Sequence, residues 1–200
     1  EAIDTVRLEE CDYLSLHSAS VIKTEGKTIG FDLVYEADQA GWRASFEALS
    51  GMIKLLNDFE VCYRIKYSGV RSLHLLIPFE ALPKEFNGRS VLVQREGMMN
   101  RIIGYFRRNC GARGSGHSPG VLRLAYSLNE DNGLVSVPIV PAELISFRPW
   151  KAHIYNVAVN QPWHTDVPAG VWRKTVRFLQ EVYADAKRRR KRTKVHYCGI

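Results

Sequence analysis

Hydrophobic and polar positions change periodicity several times along the chain. Residues 27–38 (KTIGFDLVYEAD) interleave β-branched and aromatic side chains with polar ones, and predict a strand that ends in acids. In residues 39–59, Trp42, Phe46, Leu49, Ile53 and Leu56 recur at helical spacing and predict an amphipathic helix. Residues 60–67 (EVCYRIKY) read as the next strand, followed by the turn SGVRS and a short apolar strand, LHLLIP. Strand, helix and strand in this order predict a right-handed crossover between adjacent parallel strands.

The second half is more broken. Residues 98–110 (MMNRIIGYFRRNC) predict a helix closed by Gly111, and residues 111–120, rich in glycine and serine, predict a loop. VLRLAYSL and LVSVPIV flank NEDNG, where Asn132-Gly133 is a hairpin signal. Proline-rich connections follow around Pro149, Pro162 and Pro168, and a last helix from Val171 runs into AKRRRKRTK. No internal repeat is visible.

The chain has 200 residues, 46% hydrophobic and 24% charged, which suits one sizeable core, or one core with a small appended lobe. The expected division is a core over residues 1–150 and a C-terminal extension with a basic helix over 151–200, packed on the same domain. A net charge of +7 favours an anionic partner, nucleic acid first. Cys11, Cys62, Cys110 and Cys198 are scattered without metal-ligand spacing, so a zinc site is not expected. Unpaired thiols point to a reducing intracellular setting, cytoplasmic or nucleoid-associated. No signal peptide or bilayer-spanning apolar run is visible. A first residue other than methionine is what processing, tag trimming or excision from a longer chain leaves.

Two groups of residues carry candidate chemistry. Glu36 and Asp38 alternate on one strand, so both carboxylates share a face about 7 Å apart at the backbone. Such a pair can share hard cations such as Mg²⁺ or Mn²⁺, which take oxygen ligands. The alternative is a pair of solvated acids at a strand end. The turn SGVRSLH gathers Ser68 and His74 as donors for phosphate oxygens, Arg71 as a bidentate clamp, and Gly69, which lets a backbone approach closely. Its alternative is an ordinary exposed hairpin. The run KRRRKR, including Lys187, Arg188, Arg189 and Arg190, can follow a phosphate backbone or form a solvated helix end. Trp150, Trp163 and Trp172 can stack bases, although packing is the commoner fate of such side chains.

In order and spacing, acid-x-acid on a strand, then helix, strand, S-G-x-R-x-x-H and an apolar strand resemble the archaeo-eukaryotic primase superfamily. The stretch ASFEALSGMIKLLNDFEVCYRIKYSGVRSLHLLIPFEALP is also similar to the polymerase domains of bacterial end-joining ligases. VLRLAYSLNEDNGLVSVPI resembles the primase small-subunit segment in which a basic residue and an aromatic-serine pair lead into a V-P-I strand. The likeness spans about residues 29–139. It implies an α+β fold with a mixed β-sheet, an RRM-like half and flanking helices, here residues 39–59 and 98–110, with the C-terminal basic helix outside.

The resemblance also implies functions residue by residue. Glu36 and Asp38 fall at the family's metal ligands for catalysis, and Ser68, Gly69, Arg71, Ser72 and His74 at its triphosphate motif. Arg123 falls at the basic residue before the aromatic-serine pair, here Tyr126-Ser127. Glu36 replaces an aspartate, and Ser72 stands where glycine is usual. Arg107, Arg108 and Arg113 join the C-terminal basic run as candidate nucleic-acid contacts. The implied partners are nucleoside triphosphate, a DNA or RNA template-primer, and a larger primase subunit or further domains of a longer chain, without a membrane.

One departure bears on activity. The family completes its metal site with a third aspartate, and counting back from Tyr126 reaches Gly111-Ala112. No Asp or Glu occurs from Gly97 to Asn129, whereas Arg101, Arg107, Arg108, Arg113 and Arg123 do. Two-metal phosphoryl transfer needs ligands for both ions. His117 can stand in for that ligand, although solvent exposure is the commoner fate of a loop histidine. The expectation is a DNA primase/polymerase-like domain whose nucleotide binding outlasts its catalysis, or a degenerate module with a nucleic-acid-binding or scaffold role.

Overall fold

A computed structural model describes residues 17–19, 21–37, 41–111, 115–117, 121–129, 131–158 and 166–197. Asp38, Arg113, Ala112 and Trp163 lie outside the described residues, as do the side chains of His117 and Arg190. The strands are β1 (His17–Ala19), β2 (Val21–Thr24), β3 (Lys27–Phe31), β4 (Leu33–Ala37), β5 (Arg64–Tyr67), β6 (Leu73–Ile77), β7 (Glu85–Phe86) and β8 (Arg89–Ser90). They continue with β9 (Ser115–His117), β10 (Val121–Arg123), β11 (Leu128–Asn129), β12 (Leu134–Val135) and β13 (Pro138–Ile139). The helices are α1 (Trp42–Asp58), α2 (Val91–Cys110) and α3 (Trp172–Tyr197).

The fold is α+β. Its centre is a five-stranded sheet ordered β13-β5-β6-β4-β9. Every neighbouring pair in that sheet is antiparallel, so the expected adjacent parallel pair does not form. The SGVRS turn folds β6 back beside β5, and β6 then occupies the place between β5 and β4. The crossover through α1 therefore skips one strand position. The run β4-α1-β5-β6-α2-β9 is a split β-α-β arrangement, the RRM-like half that the resemblance implied.

The long strand expected over 27–38 is broken at Asp32. β3 pairs with β2 in a separate ribbon while β4 enters the main sheet. The Asp32 carboxylate accepts the Phe79 N–H at 2.9 Å, tying the break to the turn Phe79–Ala81. Gly30 is required there, because a Cβ would lie 2.4 Å from the Phe79 ring. The next strand also begins later than expected, at Arg64.

One sheet face carries Leu33, Tyr35, Ala37, Ile65, Tyr67, Leu73, Leu75 and Ile77, all buried in the main core. Helix α1 covers it with Ser45, Ala48, Leu49, Met52 and Leu56, a stripe at helical spacing. Trp42, Phe46 and Ile53 flank that stripe, half-buried. Helix α2 starts at Val91, seven residues before the periodicity suggests, and closes on Gly111 in the left-handed region at φ +64°. Its first turns carry an exposed Val93 and a half-buried Gln94 and Arg95, so no apolar stripe announces them.

Helix α3 is not an outer appendage. Phe178, Leu179 and Val182 are fully buried in the same core, and the Phe178 ring lies 5.6–6.0 Å from those of Phe59, Tyr105 and Phe106. Arg108 on α2 forms an ion pair with Asp185 on α3, its Nε donating at 3.0 Å. The opposite sheet face holds a smaller apolar trio, Val34, Leu76 and Leu122, through which β10 packs on the sheet. Among the described residues no helix is long and apolar enough to cross a membrane.

Candidate functional site

Strand alternation decides which side chains reach the second face. On β5 it is Arg64 and Lys66 rather than Ile65 and Tyr67; on β4 and β6 it is Glu36 and His74. The ladders align these residues in one transverse row, Lys66 opposite His74, His74 opposite Glu36, and Glu36 opposite Ser115. Directly opposed residues share a face with Cβ atoms about 5 Å apart, so the row brings a lysine, an imidazole and a carboxylate together.

Ser72 completes the cluster. Its hydroxyl donates to Glu36 Oε1 at 2.8 Å, and its Oγ lies 3.4 Å from His74 Nε2. His74 Nε2 is also 3.5 Å from Glu36 Oε1. With the Ser72 proton directed to the carboxylate, its oxygen is left to accept, which places the imidazole proton on Nε2. Ser72 thus bridges Glu36 on β4 and His74 on β6.

The hairpin tip is built rather than loose. Ser68 Oγ accepts the N–H groups of Val70 and Ser72, each at 3.2 Å, and the Tyr67 hydroxyl donates to the Val70 carbonyl at 2.5 Å. Gly69 takes φ +82°, and a Cβ there would stand 3.2 Å from Leu134 O and Ser136 N. Its carbonyl accepts from Asn129 and Asn132, both at 3.1 Å. The β11–β12 hairpin therefore sits on the tip, and the hydroxyl of Ser68 and the carbonyl of Gly69 serve the turn. Arg71 and Val70 remain exposed.

Lys66 is the residue that sequence reasoning missed. It is 2% exposed, and its ammonium donates to the Arg123 carbonyl and, at 3.4 Å, to Ser136 Oγ. Burial pushes its pKa down to about 8, helped by the Arg123 charge and opposed by Glu36. Alternation along RIKY could have assigned Lys66 to the Glu36 face; nothing local announces its burial. Arg123 itself donates from Nη1 to the Leu128 carbonyl at 2.7 Å. Tyr126, of the aromatic-serine pair, has φ +67° and donates its N–H to Ser136 O at 2.6 Å.

The other site residues are dispersed. Arg108 is held by Asp185 and Arg188 by Glu181 at 2.5 Å, so both serve helix contacts. Arg107, Lys187 and Arg189 are exposed on the helices. Trp150 and Trp172 are 64% and 41% exposed, against the packing expected of them. Among the described residues no group of three or more His, Cys, Asp or Glu side chains comes together. The described donor for a cation is the Glu36 carboxylate, since the neighbouring imidazole turns an N–H rather than a lone pair toward it. A carboxylate oxygen suits Mg²⁺ or Mn²⁺, and Asp38 follows two residues along the alternation. His117 stands opposite Val34, two residues along the ladder from the row.

No protein-family model matches the chain. A search of curated proteins likewise finds no match. Among solved structures, the chain is similar to the polymerase domain from Mycobacterium tuberculosis Ligase D in complex with DNA. The TM-score is 0.44 at 17% identity, over 66% of this chain and 54% of that one. The chain thus spans about half the length of that domain.

Proposed function

We propose that the chain is a primase/polymerase-like domain that binds a nucleoside triphosphate, with Mg²⁺ or Mn²⁺, against the row of Glu36 and His74, and binds DNA. The observation that carries this reading is the hydrogen-bonded cluster of Glu36, Ser72 and His74, because it joins the two motifs on which the resemblance rests, 36 residues apart in the chain. Arg71, exposed at the tip, supplies a bidentate contact for phosphate oxygens, and the buried His74 donates from Nε2 once a phosphate oxygen replaces its long contact with Ser72. Glu36 and Asp38 would hold the cation, which supplies charge neutralisation for the phosphates.

A second reading, a catalytically degenerate module with a binding or scaffold role, is favoured by a specific position. The residue opposite Glu36 on the neighbouring strand is Ser115, which carries no carboxylate. Calorimetry separates binding from its absence. Triphosphate is expected to bind far better than the corresponding nucleoside, and Arg71→Ala to weaken it by about 2–3 kcal/mol, one or two charge-assisted hydrogen bonds. Equal affinities for triphosphate and nucleoside would retire the nucleotide reading.

A further inference from the structure

We propose that Lys66 is the positioning residue of this site: its buried ammonium anchors β10 across the sheet and so sets Arg123 beside the Glu36–His74 row. The inference rests on reading that row as a triphosphate site. Among the described residues β10 is a three-residue strand paired only with β1, in a two-stranded ribbon outside the main sheet. Two-stranded ribbons are marginal by themselves in water, so β10 needs tertiary contacts to hold its place. Besides the local bond from Arg123 Nη1 to the Leu128 carbonyl five residues on, two described contacts tie β10 to the sheet. Leu122 packs on Val34 and Leu76, and Lys66 donates to the Arg123 carbonyl.

The second contact is the directional one. An apolar trio tolerates sliding, whereas a hydrogen bond from a buried ammonium fixes the Arg123 backbone at one point of the row. Ser136 Oγ, near Lys66 at 3.4 Å, donates to the Tyr67 carbonyl at 2.9 Å, so the lysine's surroundings are tied to β5. The charged groups around it are Glu36 on β4, His74 on β6, Arg123 on β10 and Arg64 on its own strand. Lysine is almost never fully buried without partners, and these contacts account for its burial.

The test combines two measurements on the full chain, using inorganic tripolyphosphate as the probe. In hydrogen exchange of the unliganded protein, Lys66→Met should raise the exchange of the β10 amides at least tenfold while leaving those of β6 unchanged. In calorimetry, Lys66→Met and Arg123→Ala should each weaken tripolyphosphate tenfold or more, and the double variant should bind no worse than the weaker single one. A merely structural lysine would give multiplicative losses instead. Unchanged β10 exchange, multiplicative losses, or unchanged affinity in Lys66→Met would each overturn the proposal. If Lys66→Met does not fold, Lys66→Gln, whose amide is too short to reach the Arg123 carbonyl, is read in the same way. Failure of the wild type to bind tripolyphosphate would overturn the triphosphate reading and the site role of Lys66 with it, while the exchange measurement still decides whether Lys66 anchors β10.

Discussion

Glu36 and His74 stand directly opposite each other in the β4–β6 ladder, with Nε2 3.5 Å from Oε1 and the Ser72 hydroxyl bonded to the same oxygen. A carboxylate held this way keeps one orientation, which suits a cation ligand. Glu36→Gln keeps the shape and an acceptor for Ser72 but removes the charge. Mn²⁺ affinity is expected to fall tenfold or more, a loss of about 1.4 kcal/mol at least. Calorimetry that finds the same Mn²⁺ affinity in both proteins would remove Glu36 from the metal assignment.

The pH dependence of stability should report Lys66. In the fold its pKa is about 8, against 10.5 for an ordinary lysine. Between those values the unfolded chain carries the proton and the folded chain does not, so stability rises with pH across that window. Cys62, raised from 9.0, and Tyr35 and Tyr67, pushed up to about 12 from 10.0, act in the opposite sense above their ordinary values. The Lys66 contribution is isolated by difference. Urea titrations should show wild type gaining on Lys66→Met by a few kcal/mol, in order of magnitude, between about pH 8 and pH 10.5. A difference that stays constant with pH would mean that the lysine is not titrating in that window.

Primer extension is expected to be absent or orders of magnitude slower than nucleotide binding would allow. A site short of a ligand for an attacking-side ion would forgo several kcal/mol of barrier lowering, at about tenfold in rate for each 1.4 kcal/mol. An informative gain-of-function position is Ser115. Gly111 closes α2, and Ser115 is the residue opposite Glu36 in the ladder. Ser115→Asp is expected to create or raise Mn²⁺-dependent extension in a gel assay. Robust extension by the unmodified chain would show that another group already fills this role.

Helix α3 should behave as part of the core. Phe178 is fully buried against rings from α1's end and α2, so Phe178→Ala should cost about 3–5 kcal/mol of unfolding free energy. Chemical denaturation measures this directly. A loss below about 1 kcal/mol, the range of surface substitutions, would return α3 to the status of an appendage.

Much of the architecture was legible because it is local. The helical stripe through Leu49 and Leu56 and the turn glycines Gly69 and Gly133, at φ +82° and +67°, act within a few residues of chain. The motif residues could be named for the same reason, since S-G-x-R-x-x-H is a run of neighbours. The start of α2 was illegible because its first turns expose Val93 and bury no regular stripe. The burial of Phe178 was illegible because the basic end of α3 dominates its composition.

What the sequence by itself determined is the α+β class, the hairpin at Ser68–Ser72 and the candidate residues. Strand order was a tertiary decision. Placing β6 between β4 and β5 depends on pairing segments far apart in the chain, and pairing energy is shared among many such contacts rather than written in any one segment. That single placement puts Ser72 and His74 against Glu36, and Lys66 beside His74. With β6 outside the β4–β5 pair, as the adjacent-crossover reading had it, the same residues would alternate correctly along their strands and never meet.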